Sequence, residues 1–160
     1  MNKEILREIG KIYRSLNSFS DFLMKSINLE KGQYQFLMRV KENQGINQQN
    51  LSSLLLVDKT TTAKAISKLI TKGYILKKVD QDDKRNSNLY LTSKGEEICV
   101  FLEKEEQFST KVALENLTNQ QQEILLNQLK EISKNTQSLY SKLKNDEKEY
   151  YLKIINQEKL

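Results

Sequence analysis

The residues best suited to contacting a ligand lie together in the middle of the chain. Short hydroxyl side chains and lysines share this stretch with apolar residues, and the candidate contact residues are Lys59, Thr60, Thr61, Ala63, Lys64, Ser67 and Lys68. Short side chains let a helix approach the base edges of a DNA groove, and lysine reaches bases or phosphates. An ordinary solvated face of an amphipathic helix is the alternative interpretation.

Two β-like runs follow, over residues 74–79 and 88–92, and enclose a polar segment. They predict a β-hairpin with a charged tip. The tip contains Asp83, Lys84 and Arg85. Arginine is favoured in a narrow minor groove, so Arg85 is the candidate for insertion there, while Asp83 would fix the loop. A generic solvated turn is the alternative.

Positive charge is concentrated in the same part of the chain. Residues 59–94 hold nine basic and three acidic side chains, whereas residues 95–160 hold nine basic and twelve acidic ones. A localised basic segment in a protein of mixed charge is typical of a surface that binds a polyanion. Gln48, Lys77 and Lys78 are the candidates for contacts to a phosphate backbone.

The order of elements around these residues indicates a winged helix-turn-helix. Asn47 can cap a short helix over 48–55, with Leu51, Leu54 and Leu55 facing the core. Asp58 can cap the next helix, which runs over 59–72 and is followed by the hairpin. A major groove is about 12 Å wide and admits one α-helix, so the second helix would read bases while the first crosses the backbone.

Long helices flank this unit, over residues 2–26 and 119–144. Their apolar residues recur at alternating spacings of four and three, which defines one stripe on each helix. The candidate dimerisation residues are Ile5, Ile9, Ile12, Leu16, Leu129, Ile132, Leu139 and Leu143. The stripes could pair within one chain. Self-association is favoured, because a two-fold dimer presents two reading helices symmetrically.

The other elements complete a mainly α (α+β) fold. We expect a helix over 30–43, a short strand at Ile46, a helix from 93 to about 115 and either a helix or a frayed tail over 145–160. Capping boxes are expected at Ser93–Glu96 and Thr118–Gln121. We assign residues 1–29 and 115–160 to dimerisation helices, 30–95 to the DNA-binding region and 96–114 to a connecting helix.

The composition argues against most enzymes. The chain has no histidine and one cysteine, which removes the common zinc ligands and any Ser-His or Cys-His pair, and glycine-rich phosphate loops are absent. We therefore expect no catalytic site, no cofactor and no metal. No apolar run approaches the roughly 18 residues of a membrane span, and the first residues lack a signal-peptide core, so we expect a cytoplasmic protein.

Residues 46–95 resemble the DNA-binding core of MarR-family bacterial transcriptional regulators. Residues 46–54 and 58–75 match the family's helix-turn-helix and the turn into its wing. Asp80-Gln-Asp-Asp-Lys-Arg85 with Leu89-Tyr-Leu-Thr-Ser-Lys-Gly95 matches its wing signature. Leu56 departs from the pattern, because many members have a turn glycine there. If that turn needs a positive φ, the leucine is strained.

The resemblance implies a homodimer on a pseudo-palindromic operator, and often control by a small aromatic effector. The effector pocket is unknown; Tyr13, Phe36 and Phe108 are candidates, although aromatics at helical spacing are more often core. Cys99 is expected to be a small core residue rather than a redox sensor.

We therefore expect a dimeric, sequence-specific DNA-binding transcriptional regulator. A repressor is favoured over an activator. The alternative from another class is a winged-helix adaptor that binds proteins and not DNA. An enzyme using Asp82 and Asp83 is weakly supported, since adjacent acids in a turn are normally solvated.

Overall fold

The computed structural model describes residues 2–30, 32–79, 87–144 and 148–157. The elements along these residues are α1 (Glu4–Ser26), α2 (Gln33–Glu42), β1 (Ile46–Asn47), α3 (Gln48–Leu55), α4 (Lys59–Thr71), β2 (Ile75–Val79), β3 (Ser87–Leu91), α5 (Ser93–Ala113), α6 (Asn119–Lys144) and α7 (Lys148–Gln157). The mainly α winged helix-turn-helix architecture is confirmed, and residues 148–157 form a helix that contacts α6. In this part of the chain, no helix is long and apolar enough to cross a membrane.

The chain divides into two compact units, residues 1–108 and 109–160. The first unit contains α1 to α4, the three strands and most of α5. The second contains the end of α5 with α6 and α7. The elements of the winged helix-turn-helix therefore all belong to the first unit.

The sheet of the first unit is small and antiparallel, with the strand order β1-β3-β2. In the hairpin, Ile75 lies opposite Leu91 and Val79 opposite Ser87; in β1, Ile46 lies opposite Leu89. Leu89 of the central strand is fully buried. Since two strands alone are marginally stable, this packing is what holds the predicted hairpin in place.

The core of the first unit lies between α2, α3, α4, the sheet and the start of α5. Its fully buried members include Leu37, Val40, Leu51, Leu69 and Leu89. Cys99 is also fully buried, which confirms the expectation of a small core residue.

The prediction that Leu54 faces the core is wrong, because its side chain is 50% exposed. At about 100° per residue, Leu51, Ser52 and Leu55 fall within one arc of about 100° on α3, and Leu54 lies about 60° outside that arc. Ser52 occupies the inward position instead. It is 6% exposed and its Oγ donates a hydrogen bond to the Val57 carbonyl at 2.5 Å.

The predicted capping box at Ser93 is also wrong, by one residue. Because β3 ends at Leu91 and α5 begins at Ser93, the capping position falls on Thr92. The Thr92 Oγ1 accepts a hydrogen bond from the Gly95 amide at 3.0 Å and donates one to the Gly73 carbonyl at 2.6 Å. The second predicted box is confirmed, since Thr118 and Gln121 bond each other's backbone amides.

We expect Thr92→Ala to lower the free energy of unfolding by about 2 kcal/mol, since it removes a helix cap and a hydrogen bond to the turn before β2. Ser93→Ala is the matched control on the neighbouring exposed residue, and we expect a change within about 0.5 kcal/mol. Urea denaturation of both variants measures the difference. A larger loss in Ser93→Ala would contradict the capping assignment.

The turn between α3 and α4 does require a positive φ. Leu56 adopts φ 54° and ψ 35°, in the left-handed region, and its side chain is 52% exposed. A non-glycine residue there is strained by roughly 1–2 kcal/mol. The departure noted in the sequence therefore places a strained, solvent-facing leucine directly after α3, in the turn that leads to α4.

Replacing Leu56 by glycine should stabilise the fold by up to about 1 kcal/mol, because relief of the strain exceeds the backbone entropy that glycine loses on folding. Leu54→Gly is the matched control: its side chain is equally exposed, but its backbone is helical, and we expect a loss of about 1 kcal/mol. Denaturant midpoints of the two variants should shift in opposite directions. Shifts of the same sign would rule out strain at Leu56.

Candidate nucleic-acid interface

Side-chain caps fix both helices of the helix-turn-helix. The Asn47 side chain accepts a hydrogen bond from the Asn50 amide at 2.8 Å, at the start of α3. The Asp58 carboxylate accepts one from the Thr61 amide, also at 2.8 Å, at the start of α4. Both predicted caps are confirmed, and together they set where the exposed surface of α4 begins.

One face of α4 is buried and the other is fully solvent-facing. Thr62, Ile66 and Leu69 are buried against the core. All seven predicted contact residues are exposed, namely Lys59, Thr60, Thr61, Ala63, Lys64, Ser67 and Lys68. No acidic residue occurs within α4 itself. The structure therefore brings the predicted recognition residues together on one basic, hydroxyl-rich surface.

The Thr61 hydroxyl is already engaged in a hydrogen bond. Its Oγ1 donates to Asp58 Oδ2 at 2.6 Å, in addition to the amide bond of the cap. The Thr61 hydroxyl and amide hold the pKa of the Asp58 carboxyl below its usual value. Because this proton is committed to Asp58, the Thr61 hydroxyl is left to act as a hydrogen-bond acceptor towards a ligand.

An acidic side chain from outside α4 adjoins the same surface. Glu30, in the segment between α1 and α2, lies with its Oε2 2.5 Å from Lys68 Nζ and its Oε1 3.5 Å from Lys72 Nζ. The Lys68 ammonium is the largest cause holding the pKa of the Glu30 carboxyl below its usual value. Sequence analysis missed this contact, because 38 residues separate the partners and no local pattern connects them.

The hairpin contributes lysines beside the helices. Lys77 Nζ of β2 lies 3.4 Å from Gln48 Oε1 at the start of α3, so two of the predicted backbone-contact residues are neighbours. Lys78 Nζ lies 5.1 Å from the ring centre of Tyr90. The predicted tip residues Asp83, Lys84 and Arg85, and the weakly supported acids Asp82 and Asp83, lie outside the described residues.

Other candidate chemistries find no support in the described ranges. Burial raises the pKa of the Cys99 thiol to about 11, so the reactive thiolate is disfavoured. No cluster of three or more histidine, cysteine, aspartate or glutamate side chains that could hold a metal ion occurs among the described residues. The three candidate pocket aromatics do not share one environment: Phe36 belongs to the core, while Tyr13 and Phe108 are both 63% exposed.

Comparisons with known proteins agree with this geometry. The family model described as MarR matches residues 29–87. The HTH-type transcriptional regulator YybA of Bacillus subtilis (strain 168) is 38% identical over 148 residues, which cover 92% of this chain and 99% of YybA.

Two solved structures are similar over most of the chain. A MarR protein from Peptoclostridium difficile is 41% identical with a TM-score of 0.83, covering 89% of this chain and 94% of that one. A MarR family transcriptional regulator from Listeria monocytogenes, complexed with a 26mer DNA, is 37% identical with a TM-score of 0.85, covering 88% and 94%. Given this similarity and the geometry above, the chain belongs to the MarR family, whose members are DNA-binding transcriptional regulators and not enzymes.

Proposed function

We propose that this protein is a homodimeric repressor in the bacterial cytoplasm that binds a pseudo-palindromic operator, with α4 of each subunit in a major groove. The observation that carries the proposal is the exposed face of α4, which combines lysines and short hydroxyl residues and contains no acid. The Listeria monocytogenes relative, whose structure contains DNA, supports the same kind of ligand for this chain.

The roles within α4 follow from position and side-chain length. Thr60 and Ala63 lie near the amino-terminal end, where their short side chains allow close approach to base edges, and the longer Lys64 beside them can reach a base. Lys59 lies at the first position of the helix, and the helix amino terminus adds partial positive charge towards phosphates. Base reading is therefore assigned to Thr60, Thr61, Ala63, Lys64 and Ser67.

The remaining contacts are assigned to the backbone of the duplex. Gln48, Lys77 and Lys78 lie outside α4 and would contact phosphates, which positions the protein without reading sequence. For the hairpin tip, minor-groove insertion of Arg85 with support from Asp83 and Lys84 stays a prediction from the sequence.

Dimerisation is supported by apolar side chains that face solvent in the single chain. On α1, Ile5, Ile12 and Leu16 are each between 44% and 57% exposed, and on α6 Leu129 and Leu139 are 38% and 39% exposed. Fully burying one such side chain contributes about 1.5–3 kcal/mol, so even partial burial of these stripes favours association. The other predicted members of the stripes, which are half-buried, are Ile9, Ile132 and Leu143.

A two-fold dimer would place its two reading helices about 34–36 Å apart, one turn of the double helix. We propose that a small-molecule effector relieves operator binding by favouring a different spacing of these helices. Such an effector must bind the two arrangements with different affinity. Couplings of about 1–3 kcal/mol would change operator affinity by about 5- to 150-fold.

Selection of bound duplexes from a random pool tests the proposal directly. We expect a two-fold symmetric consensus whose affinity falls steeply with salt, because lysines displace condensed counterions. If the purified protein ignores duplex DNA even in dilute buffer, the protein-binding adaptor is favoured instead.

Lys64→Gln should change which sequences are selected. At the base pair that Lys64 contacts, the difference in binding free energy between the preferred base and the other bases should fall by about 1–3 kcal/mol. Lys77→Gln is the matched control, since it removes the same charge from the hairpin. We expect it to weaken binding to all duplexes alike and to reduce the salt slope by about 0.9, without changing the consensus. An unchanged consensus in Lys64→Gln would refute the assignment of α4 as the reading helix.

Ile12→Glu should dissociate the dimer, because it places a charge in the centre of the α1 stripe. Sedimentation velocity measures the shift from dimer to monomer mass, and operator affinity should fall in parallel. Leu54→Glu is the matched control, with a similarly exposed apolar side chain outside the stripes, and should remain dimeric. A dimer that withstands Ile12→Glu would place the interface elsewhere.

A further inference from the structure

Glu30, in the segment between α1 and α2, places one carboxylate beside the candidate reading surface on α4. A groove of about 610 Å³ runs between Glu30 and Gln33 on one side and the α4 side chains from Thr60 to Lys68 on the other. Glu30 lines this groove and forms a 2.5 Å ion pair with Lys68, in the carboxyl-terminal part of α4. One of the predicted DNA-contacting lysines is therefore already paired with a carboxylate of its own chain.

The position of Glu30 is set by a network, not by the ion pair alone. Gln33 is 3% exposed, and its Oε1 accepts hydrogen bonds from the Glu30 amide at 2.9 Å and from Lys72 Nζ at 3.3 Å. Lys72 Nζ also donates to the Asn28 carbonyl at 2.9 Å. The backbone around Glu30 is thus tied to the end of α4, which keeps the carboxylate beside Lys68.

We propose that Glu30 is a specificity-determining residue, which holds Lys68 in an internal ion pair and so restrains charge-driven binding to unselected DNA. This inference rests on the proposed function of α4. A phosphate approaching Lys68 competes with Glu30 for the ammonium and is also repelled by the Glu30 carboxylate. The pair is exposed on both sides, 56% at Lys68 and 50% at Glu30, so it is weak enough to be exchanged.

Exchange occurs only where other contacts hold a phosphate next to Lys68. On the operator, base contacts by α4 fix the register of the duplex and supply such a phosphate. On an unrelated sequence no register is fixed, and the ion pair between Glu30 and Lys68 stays intact. Since unselected binding depends almost wholly on phosphate contacts, Glu30 weakens it more than it weakens operator binding.

The test compares Glu30→Gln with the unmodified chain on the selected operator and on a scrambled duplex, titrated over a range of salt concentrations. We expect Glu30→Gln to bind the scrambled duplex about two- to five-fold more tightly. The salt slope on that duplex should steepen by about 0.9, as one more lysine engages a phosphate. The ratio of operator to scrambled affinity should fall.

Glu42→Gln is the matched control. Glu42 forms an exposed ion pair with Arg39 on α2, and its substitution changes the net charge equally without touching α4. An equal gain in Glu42→Gln would mean that net charge alone acts, and would overturn the proposal. Thermal unfolding of each variant checks that Glu30→Gln remains folded.

Lys68→Gln provides a second measurement that does not depend on the Glu30 variant folding well. With Glu30 present, it should leave the salt slope on the scrambled duplex unchanged, because the paired Lys68 displaces no counterion from that duplex. In the Glu30→Gln background it should abolish the gain. A salt slope that falls by about 0.9 in Lys68→Gln alone, or a gain that survives in the double variant, would overturn the proposal. Failure of the unmodified chain to bind any duplex would instead refute the proposed function itself.

Discussion

Burial of one side of α4 is the interaction on which the candidate interface depends. Ile66 and Leu69 are 1% and 0% exposed and lie against the core of the first unit. Burying each of these side chains contributes about 1.5–3 kcal/mol, so a rotation of α4 that exposed them would be strongly disfavoured. The direction in which Lys64 and Thr60 point is therefore decided by apolar packing on the opposite face, and not by the basic residues themselves.

The ends of the helix-turn-helix add precision to that arrangement. Caps by Asn47 and Asp58 define the first turns of α3 and α4, and the left-handed backbone at Leu56 makes the tight turn between them. The strain at Leu56, roughly 1–2 kcal/mol, is small beside the burial that the turn permits. A residue of unfavourable type is thus tolerated because the surrounding packing fixes its conformation.

The exposed face of α4 carries a concentration of lysines, and one of them is paired with a carboxylate. The lysines of α4 and β2 provide attraction to a polyanion, while Glu30 sets one carboxylate against the far end of α4. Attraction that is purely electrostatic strengthens binding to every duplex alike, whereas base contacts favour one sequence. A regulator that must find one site among many benefits when its electrostatic attraction to unselected DNA is limited. The ion pair between Glu30 and Lys68 would limit that attraction.

Much of the fold follows from the sequence alone. The helical stripes, the β-like run at residues 74–79 and the caps at Asn47, Asp58 and Thr118 depend on near neighbours, so local spacing predicted these elements within three residues. The exposed α4 residues were predictable for the same reason, since burial of Ile66 and Leu69 determines the opposite face.

Tertiary structure decided the features that involve distant parts of the chain or the end of an element. Leu54 is exposed because Ser52 occupies the inward position on α3. The cap of α5 is Thr92 because β3 ends one residue earlier than expected. Glu30 met Lys68 across 38 residues only because the core packs α2 beside α4. The sequence determined which residues could contact DNA through local periodicity, while only long-range packing decided which of their charges are already paired.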